Sequence, residues 1–100
     1  MNFINQHKPA IITLCEKHHV KKLYVFGSVL TDRFDANSDV DLVVEFQIFD
    51  LKFYADNYYD LKFSLQDILK RPVDMLEQQA IKNPYLEQSI QVQKQLIYAS

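Results

Sequence analysis

The clearest pattern of hydrophobic and polar positions lies between residues 50 and 70. Apolar residues recur there at spacings of three and four, which predicts one amphipathic helix with a buried stripe. A shorter apolar pattern after Pro9 predicts a first helix that ends around His18, with the proline in its first turn. The stripe of the long helix consists of Leu51, Tyr54, Tyr58, Leu61, Leu65 and Ile68.

Three short segments are rich in the β-branched and aromatic residues that are typical of strands: 23–26, 39–46 and 71–76. The first of them ends at Gly27, which is the only glycine in the chain. Asn83 followed by proline has the pattern of an N-cap with proline at the first helical position. It predicts a last helix with an apolar stripe of Leu86, Ile90, Val92, Leu96 and Ile97.

The lengths of the connections predict how these strands pair. About a dozen residues join the first two strands, and a connection this short favours an antiparallel pair. The long helix between the second and third strands can serve as a crossover, so these two strands can run parallel. We therefore expect an α+β fold, a small mixed β-sheet with helices packed on it, in one domain that spans residues 1–100.

Composition restricts the classes of function that are open to the chain. The formal net charge is −2, and no run of like charge could follow a nucleic-acid backbone. No apolar run approaches the length of a membrane span, and the N-terminus lacks the layout of a secretory signal. The single cysteine, Cys15, cannot form an internal disulfide. We expect a cytoplasmic protein that binds neither membrane nor nucleic acid directly.

Carboxylates and one tight turn carry the candidate chemistry. Asp39 and Asp41 are two apart on a strand, so they point to the same face and repel each other unless a divalent cation lies between them. In a parallel pair, Asp74 near the start of the third strand would lie beside them. Gly27 would let a phosphate approach the backbone closely, and Ser28 would supply a hydroxyl and an N–H group. Together these features suit metal-assisted phosphoryl or nucleotidyl transfer.

The same residues carry a resemblance to a known family. Leu23-Tyr24-Val25-Phe26-Gly27-Ser28, ten intervening residues and Asp39-Val40-Asp41-Leu42 resemble the Gly-Ser…Asp-x-Asp signature of the polymerase-β-like nucleotidyltransferase superfamily. Within it, the chain is most similar to the minimal nucleotidyltransferase (MNT) antitoxins that are found beside HEPN-domain toxins. The similarity continues through residues 71–74 and 82–86 and so covers nearly the whole chain.

The resemblance implies the polymerase-β palm-like fold and Mg²⁺-dependent transfer of AMP from ATP to a hydroxyl, which can be a tyrosine of a HEPN-domain toxin. It implies that Gly27 and Ser28 hold the triphosphate. It also implies that Asp39, Asp41 and Asp74 bind metal, with two Mg²⁺ ions expected, and that Asp74 helps to deprotonate the acceptor. Many members carry arginine directly after Gly-Ser, whereas this chain has Val29-Leu30-Thr31-Asp32-Arg33. Arg33 could replace part of that charge from a shifted position.

Other functions stay open at this point. The chain could be a binding module with a weak or degenerate site, which neutralises its partner by occlusion in a homo- or hetero-oligomer. It could also adenylylate a small hydroxylated molecule such as an aminoglycoside. Phe53, Tyr59 and Phe63 lie away from the main stripe of the long helix. They would either pack under the last helix or form a contact surface for a partner protein.

Overall fold

The computed structural model describes residues 2–31, 34–35, 37–47 and 50–100. Within these ranges the helices are α1 (Asn2–Lys17), α2 (Tyr54–Leu69) and α3 (Pro84–Gln93). The strands are β1 (Val20–Phe26), β2 (Val40–Phe46), β3 (Val73–Glu77) and β4 (Gln95–Ala99). Short 3₁₀ turns follow β1 and β3 and precede α2. None of the described helices is long and apolar enough to cross a membrane.

The strands form a mixed sheet in the order β3-β2-β1-β4. β1 pairs antiparallel with β2, and β2 pairs parallel with β3, with α2 as the crossover between them. Both pairings were predicted from the lengths of the connections. The predicted α+β class, a small mixed sheet with helices packed on it, is therefore confirmed.

The two faces of the sheet have different roles. Leu42 and Val44 of β2 are buried in the main hydrophobic core, which also contains residues of α1 and α2. Asp41 and Val43 alternate with them and so point to the opposite face. Val43 is fully buried there, and Ile90 of α3 is also buried outside the main core. We infer that α3 partly covers the face that carries Asp41.

The long amphipathic helix forms close to its predicted place. A 3₁₀ turn, Leu51–Phe53, precedes α2, so the predicted segment divides into two elements. Leu61, Leu65 and Leu69 are buried along one side, at spacings of four that keep them on one helical face. At the C-terminal end of α2, Lys70 takes the left-handed conformation and its N–H donates to the Gln66 carbonyl.

The first helix is longer than the sequence predicted. It starts at Asn2, so Pro9 lies inside α1 rather than in its first turn. Ile4, Ile11 and Cys15 are all nearly inaccessible to solvent, and their spacing keeps them on one side of a continuous helix. The burial of Ile4 explains why the helix extends upstream of a proline that removes one backbone hydrogen bond.

The last helix is shorter than predicted, and a strand was missed. Asn83 does cap α3, because its side chain accepts hydrogen bonds from the N–H groups of Tyr85 and Leu86. The helix ends at Gln93, however, and Gln95–Ala99 forms β4 along the outer edge of β1. The free edge of β1 supplies hydrogen-bond partners for β4 that a helical continuation to Ile97 would leave unused.

The expectation that the outlying aromatic residues pack under the last helix is wrong. Phe53, at the end of the 3₁₀ turn before α2, and Tyr59 and Phe63 on α2 are each slightly more than half exposed. The rings of Tyr59 and Phe63 stack on each other with their centroids 6.0 Å apart. Because α2 packs on the face of the sheet opposite to Asp41, this aromatic surface of α2 lies on the other side of the sheet from the carboxylates.

Candidate active site

Two of the predicted carboxylates lie side by side at one end of the sheet. Asp41 is the second residue of β2 and its register partner on β3 is Asp74. Residues in register on neighbouring strands point to the same face, so both side chains leave the sheet together. Asp39 precedes β2 by one residue and is exposed. Asp74 therefore lies on the same side of the sheet as Asp41, as the predicted site requires.

The charge environment of Asp41 reflects this crowding. Burial raises the pKa of the Asp41 carboxyl above its ordinary value, and the charges of Asp74 and then Asp39 raise it further. Asp74 and Asp39 therefore both lie close enough to Asp41 for their charges to act on it. A cation among them would remove this repulsion and favour the ionised form of Asp41.

Gly27 lies directly against the Asp41 carboxylate. It begins the 3₁₀ turn Gly27–Leu30 and has a positive φ of 79°. A Cβ atom added to Gly27 would lie 2.4 Å from Oδ2 of Asp41, well inside van der Waals contact. The sequence predicts that a glycine is needed at position 27 so that a phosphate can approach the backbone. In the structure, the space beside its Cα is needed by Asp41 itself.

Ser28 lies in the same turn, next to Gly27, and is half-buried. Its carbonyl accepts hydrogen bonds from the N–H and the hydroxyl of Thr31, at 2.9 Å each, which close the turn. Anion binding by Gly27 and Ser28 stays a prediction. Arg33, the predicted extra positive charge, lies outside the described residues.

An arginine anchors the segment that leads to Asp39. The guanidinium of Arg71 lies against the rings of both Phe3 and Phe34, with its carbon 4.6 Å and 4.5 Å from their centroids. It also donates a hydrogen bond to the Asp35 carbonyl. Arg71 directly precedes Pro72, whose carbonyl accepts the N–H of Val40. The Arg71 side chain therefore connects the segment before β3 to the loop that leads to Asp39 and β2.

The donor set suits a hard cation such as Mg²⁺. Among the residues that the structure describes, no three His, Cys, Asp or Glu side chains are grouped so that they could hold a metal ion by themselves. Mg²⁺ is usually bound by one or two carboxylates together with water and substrate phosphates, rather than by a cage of protein groups. The neighbouring carboxyl groups of Asp41 and Asp74 fit that mode of binding. Metal binding by Asp39, Asp41 and Asp74 stays a prediction.

The face of the sheet that carries Asp41 also has a positively charged residue that was not predicted to belong to the site. Lys94 follows α3, and its Nζ lies 4.0 Å from the centroid of the Tyr24 ring. Tyr24 is the register partner of Val43, so it belongs to the face of the sheet that carries Asp41. The apolar pattern of the sequence places residues 94–97 in the last helix and so gives no reason to expect Lys94 near the site. Leu96-Ile97-Tyr98 contains residues that are typical of strands. A strand prediction for this segment would place Lys94 at the end of the sheet where the candidate site lies.

Comparison with known proteins gives a consistent assignment. The model of the nucleotidyltransferase domain family matches residues 10–97. A Methanocaldococcus jannaschii protein, provisionally named a protein adenylyltransferase, is 35% identical over 97 residues, which make up 97% of this chain and 91% of that protein. Both matches span the predicted glycine turn and the three predicted aspartates.

Solved structures share the fold. A protein provisionally described as a minimal nucleotidyltransferase superposes with a TM-score of 0.76 and 25% identity, covering 92% of this chain and 90% of that chain. A chain from the complex of a tri-AMPylated Shewanella oneidensis HEPN toxin with an MNT antitoxin superposes with a TM-score of 0.66 and 19% identity, covering 96% of this chain and 72% of that chain. The match to the domain family and the similarity to the M. jannaschii protein agree with the paired aspartates seen in the sheet. The chain therefore belongs to the nucleotidyltransferase domain family of enzymes.

Proposed function

We propose that this chain is a Mg²⁺-dependent adenylyltransferase that moves AMP from ATP to a hydroxyl of a partner HEPN-type toxin, and so acts in the cytoplasm as the antitoxin of a toxin–antitoxin pair. The observation that carries the proposal is that Asp41 and Asp74 are register partners on neighbouring strands and that Gly27 lies against the Asp41 carboxylate. The provisional name of the M. jannaschii relative supports protein as the acceptor class and the adenylyl group as the group transferred.

Each residue of the site has a distinct proposed role. The Gly27–Ser28 turn holds the triphosphate through backbone N–H groups and the serine hydroxyl. Asp39, Asp41 and Asp74 hold two Mg²⁺ ions, which would neutralise phosphate charge and steady the attacking and leaving oxygens. Arg33 adds positive charge near the phosphates. The raised pKa of the Asp41 carboxyl supports this arrangement, because crowded carboxylates gain most from a bound cation.

The transfer itself is a displacement at phosphorus. The acceptor hydroxyl oxygen forms a bond to the α-phosphorus of ATP while the bond from that phosphorus to the bridging oxygen breaks, and pyrophosphate leaves. The hydroxyl proton passes to the carboxylate of Asp74. Asp74 suits this role because its side chain is exposed at the edge strand β3, where an acceptor from another protein could reach it.

The acceptor is proposed to come from a partner protein. Asp39 and Asp74 are exposed, so a hydroxyl of another protein could approach their carboxylates from outside. The fold is shared with a chain from a complex in which the HEPN toxin carries AMP groups. A HEPN-type neighbour is therefore the partner that we would test first.

The proposal is tested by labelling. The full chain is incubated with ATP labelled on the α-phosphate, Mg²⁺ and the purified product of the adjacent gene. Label should appear on that product, and chelation of Mg²⁺ should abolish it. Asp41→Asn should reduce the labelling rate by at least a hundredfold, because the variant loses a charged ligand without a change of side-chain shape.

Asp67→Asn is the matched control. Asp67 is an exposed residue of α2, on the other side of the sheet, so the change removes the same charge away from the site. Labelling by this variant should equal that of the original chain. Labelling that survives Asp41→Asn at full rate, or that needs no divalent cation, would remove the basis of the proposal.

The aromatic surface of α2 favours a second candidate, which is a binding module that silences its partner by occlusion. Phe53, Tyr59 and Phe63 are exposed on the side of the sheet opposite to Asp41. Exposed aromatic side chains in one cluster commonly mark a protein interface. A partner held there could be blocked without any chemistry at the carboxylates.

Suppression of the toxin in cells separates the two candidates. Under occlusion, Asp41→Asn still suppresses toxicity, whereas Tyr59→Ala combined with Phe63→Ala does not. Under adenylylation, Asp41→Asn loses suppression. Tyr85→Ala is the control for the aromatic variants, because Tyr85 on α3 is 84% exposed and lies outside the α2 surface.

A further inference from the structure

A row of residues paired across neighbouring strands crosses the site end of the sheet. In that row Asp74 of β3 pairs with Asp41 of β2, which pairs with Phe26 of β1, the residue before Gly27. On the other side of β1, Val25 pairs with Gln95 at the start of β4. If this register continues by one residue, Lys94 lies beside Phe26. The row then runs from two carboxylates, past the glycine turn, to a lysine.

The Lys94 side chain lies on the same face of the sheet as the carboxylates. Its Nζ lies 4.0 Å from the centroid of the Tyr24 ring, and Tyr24 points to the face of Val43 and Asp41. Strands in a sheet lie about 4.8 Å apart, so the backbone at position 94 is about two spacings, or 10 Å, from that of Asp41. The glycine turn follows the strand that lies between them.

The ammonium group of Lys94 is available for an anion. Within the described part of the chain, no carboxylate lies within 4 Å of it, and the salt bridge found there joins Lys21 to Glu45 at the other end of the sheet. A cation over an aromatic face is partly shielded from water and still has N–H groups free to donate. Such a group gains more from a phosphate than a fully hydrated lysine would.

We propose that Lys94 binds the β- and γ-phosphates of the nucleoside triphosphate and supplies positive charge on the side of the glycine turn opposite to the carboxylates. This inference rests on the proposed function. The glycine turn would hold the phosphates between the carboxylates on one side and Lys94 on the other. Lys94 thus acts as a binding residue from the junction between α3 and β4, the strand that the sequence did not predict.

A purely structural role for Lys94 is the competing explanation. The residue follows α3, its N–H donates to the Ile90 carbonyl, and a positive charge at a helix C-terminus is stabilising. In that case its removal would lower stability and leave nucleotide binding unchanged. Measurement of both quantities on the same variants therefore separates the two roles.

The test is calorimetric titration of the full chain with ATP and Mg²⁺. Lys94→Met keeps most of the side-chain volume and should weaken ATP binding about tenfold or more, the usual effect of one lost hydrogen bond to a charged group. Lys94→Arg should retain most of the affinity. Lys22→Met is the matched control, because Lys22 is also half-buried and lies on β1 beyond Tyr24, away from the glycine turn.

The outcomes are distinct. If the original chain binds ATP and Lys94→Met binds it as tightly as Lys22→Met does, the role of Lys94 is overturned while the proposed function stands. If the original chain does not bind ATP at all, the proposed function fails and this inference fails with it. Thermal unfolding confirms that each variant is folded, and Lys94→Gln replaces Lys94→Met if the latter is not.

Discussion

Replacement of Gly27 by alanine tests the most direct steric relation at the site. In the structure the new Cβ would lie 2.4 Å from Oδ2 of Asp41, and ordinary contact begins near 3.4 Å. The carboxylate must therefore move by about 1 Å, because the backbone on both sides is held in the sheet and the 3₁₀ turn. A displacement of about 1 Å in a reacting group can cost about a hundredfold in rate.

The same substitution carries a backbone cost. Gly27 has φ 79°, in the left-handed region, where a residue with a side chain costs about 1–2 kcal/mol. We expect Gly27→Ala to lower the free energy of unfolding by at least this amount, as measured by urea denaturation. The rate of AMP transfer should fall by about a hundredfold.

A double-mutant cycle separates these two effects. In the Asp41→Ala background the colliding oxygen is absent, so Gly27→Ala should cost only the backbone term of about 1–2 kcal/mol. In the original background it should cost more. If the cost is the same in both backgrounds, or if Gly27→Ala transfers AMP at the original rate, the claim that this glycine makes room for Asp41 is wrong.

Three further predictions concern stability and reactivity. Asn83→Ala removes the cap of α3 and should lower the free energy of unfolding by about 1 kcal/mol, whereas Gln88→Ala at an exposed position of the same helix should not. Tyr58→Phe removes the hydroxyl that donates to the Met75 carbonyl and should also cost about 1 kcal/mol in urea denaturation. Burial raises the pKa of the Cys15 thiol to about 12, so a thiol reagent at pH 8 should label it only as fast as the chain unfolds, and rapid labelling of the folded protein would contradict this.

The central geometry of the site could be predicted from the sequence for local reasons. The period of two along a strand places Asp41 on the face opposite to Leu42, and the long helix between β2 and β3 makes a parallel pair that brings Asp74 beside Asp41, whereas Asp39 precedes the strand. Both arguments depend on spacing along the chain. Neither requires knowledge of which elements pack on which side.

The elements that were mispredicted depend on tertiary contacts. Ile97 lies seven residues after Ile90 and Leu96 lies four after Val92, so the pattern alone favours a longer helix. What decides the conformation is the open edge of β1, which pairs with Gln95–Ala99. Similarly, Pro9 favours a helix start by its local preference, and the burial of Ile4 on the same helical face overrides it.

The division of the sheet into two faces makes the proposed activities separable. The carboxylates, the glycine turn and Lys94 belong to the face partly covered by α3, whereas the exposed rings of Tyr59 and Phe63 lie beyond α2 on the other face. An acceptor hydroxyl must reach the first face, so a partner docked only on α2 would have to extend around the edge strand β3 to be modified. A partner that binds α2 without such an extension would be occluded and not adenylylated. Labelling and suppression measured on the same variants should therefore rise and fall together only if the partner reaches the face that carries the carboxylates.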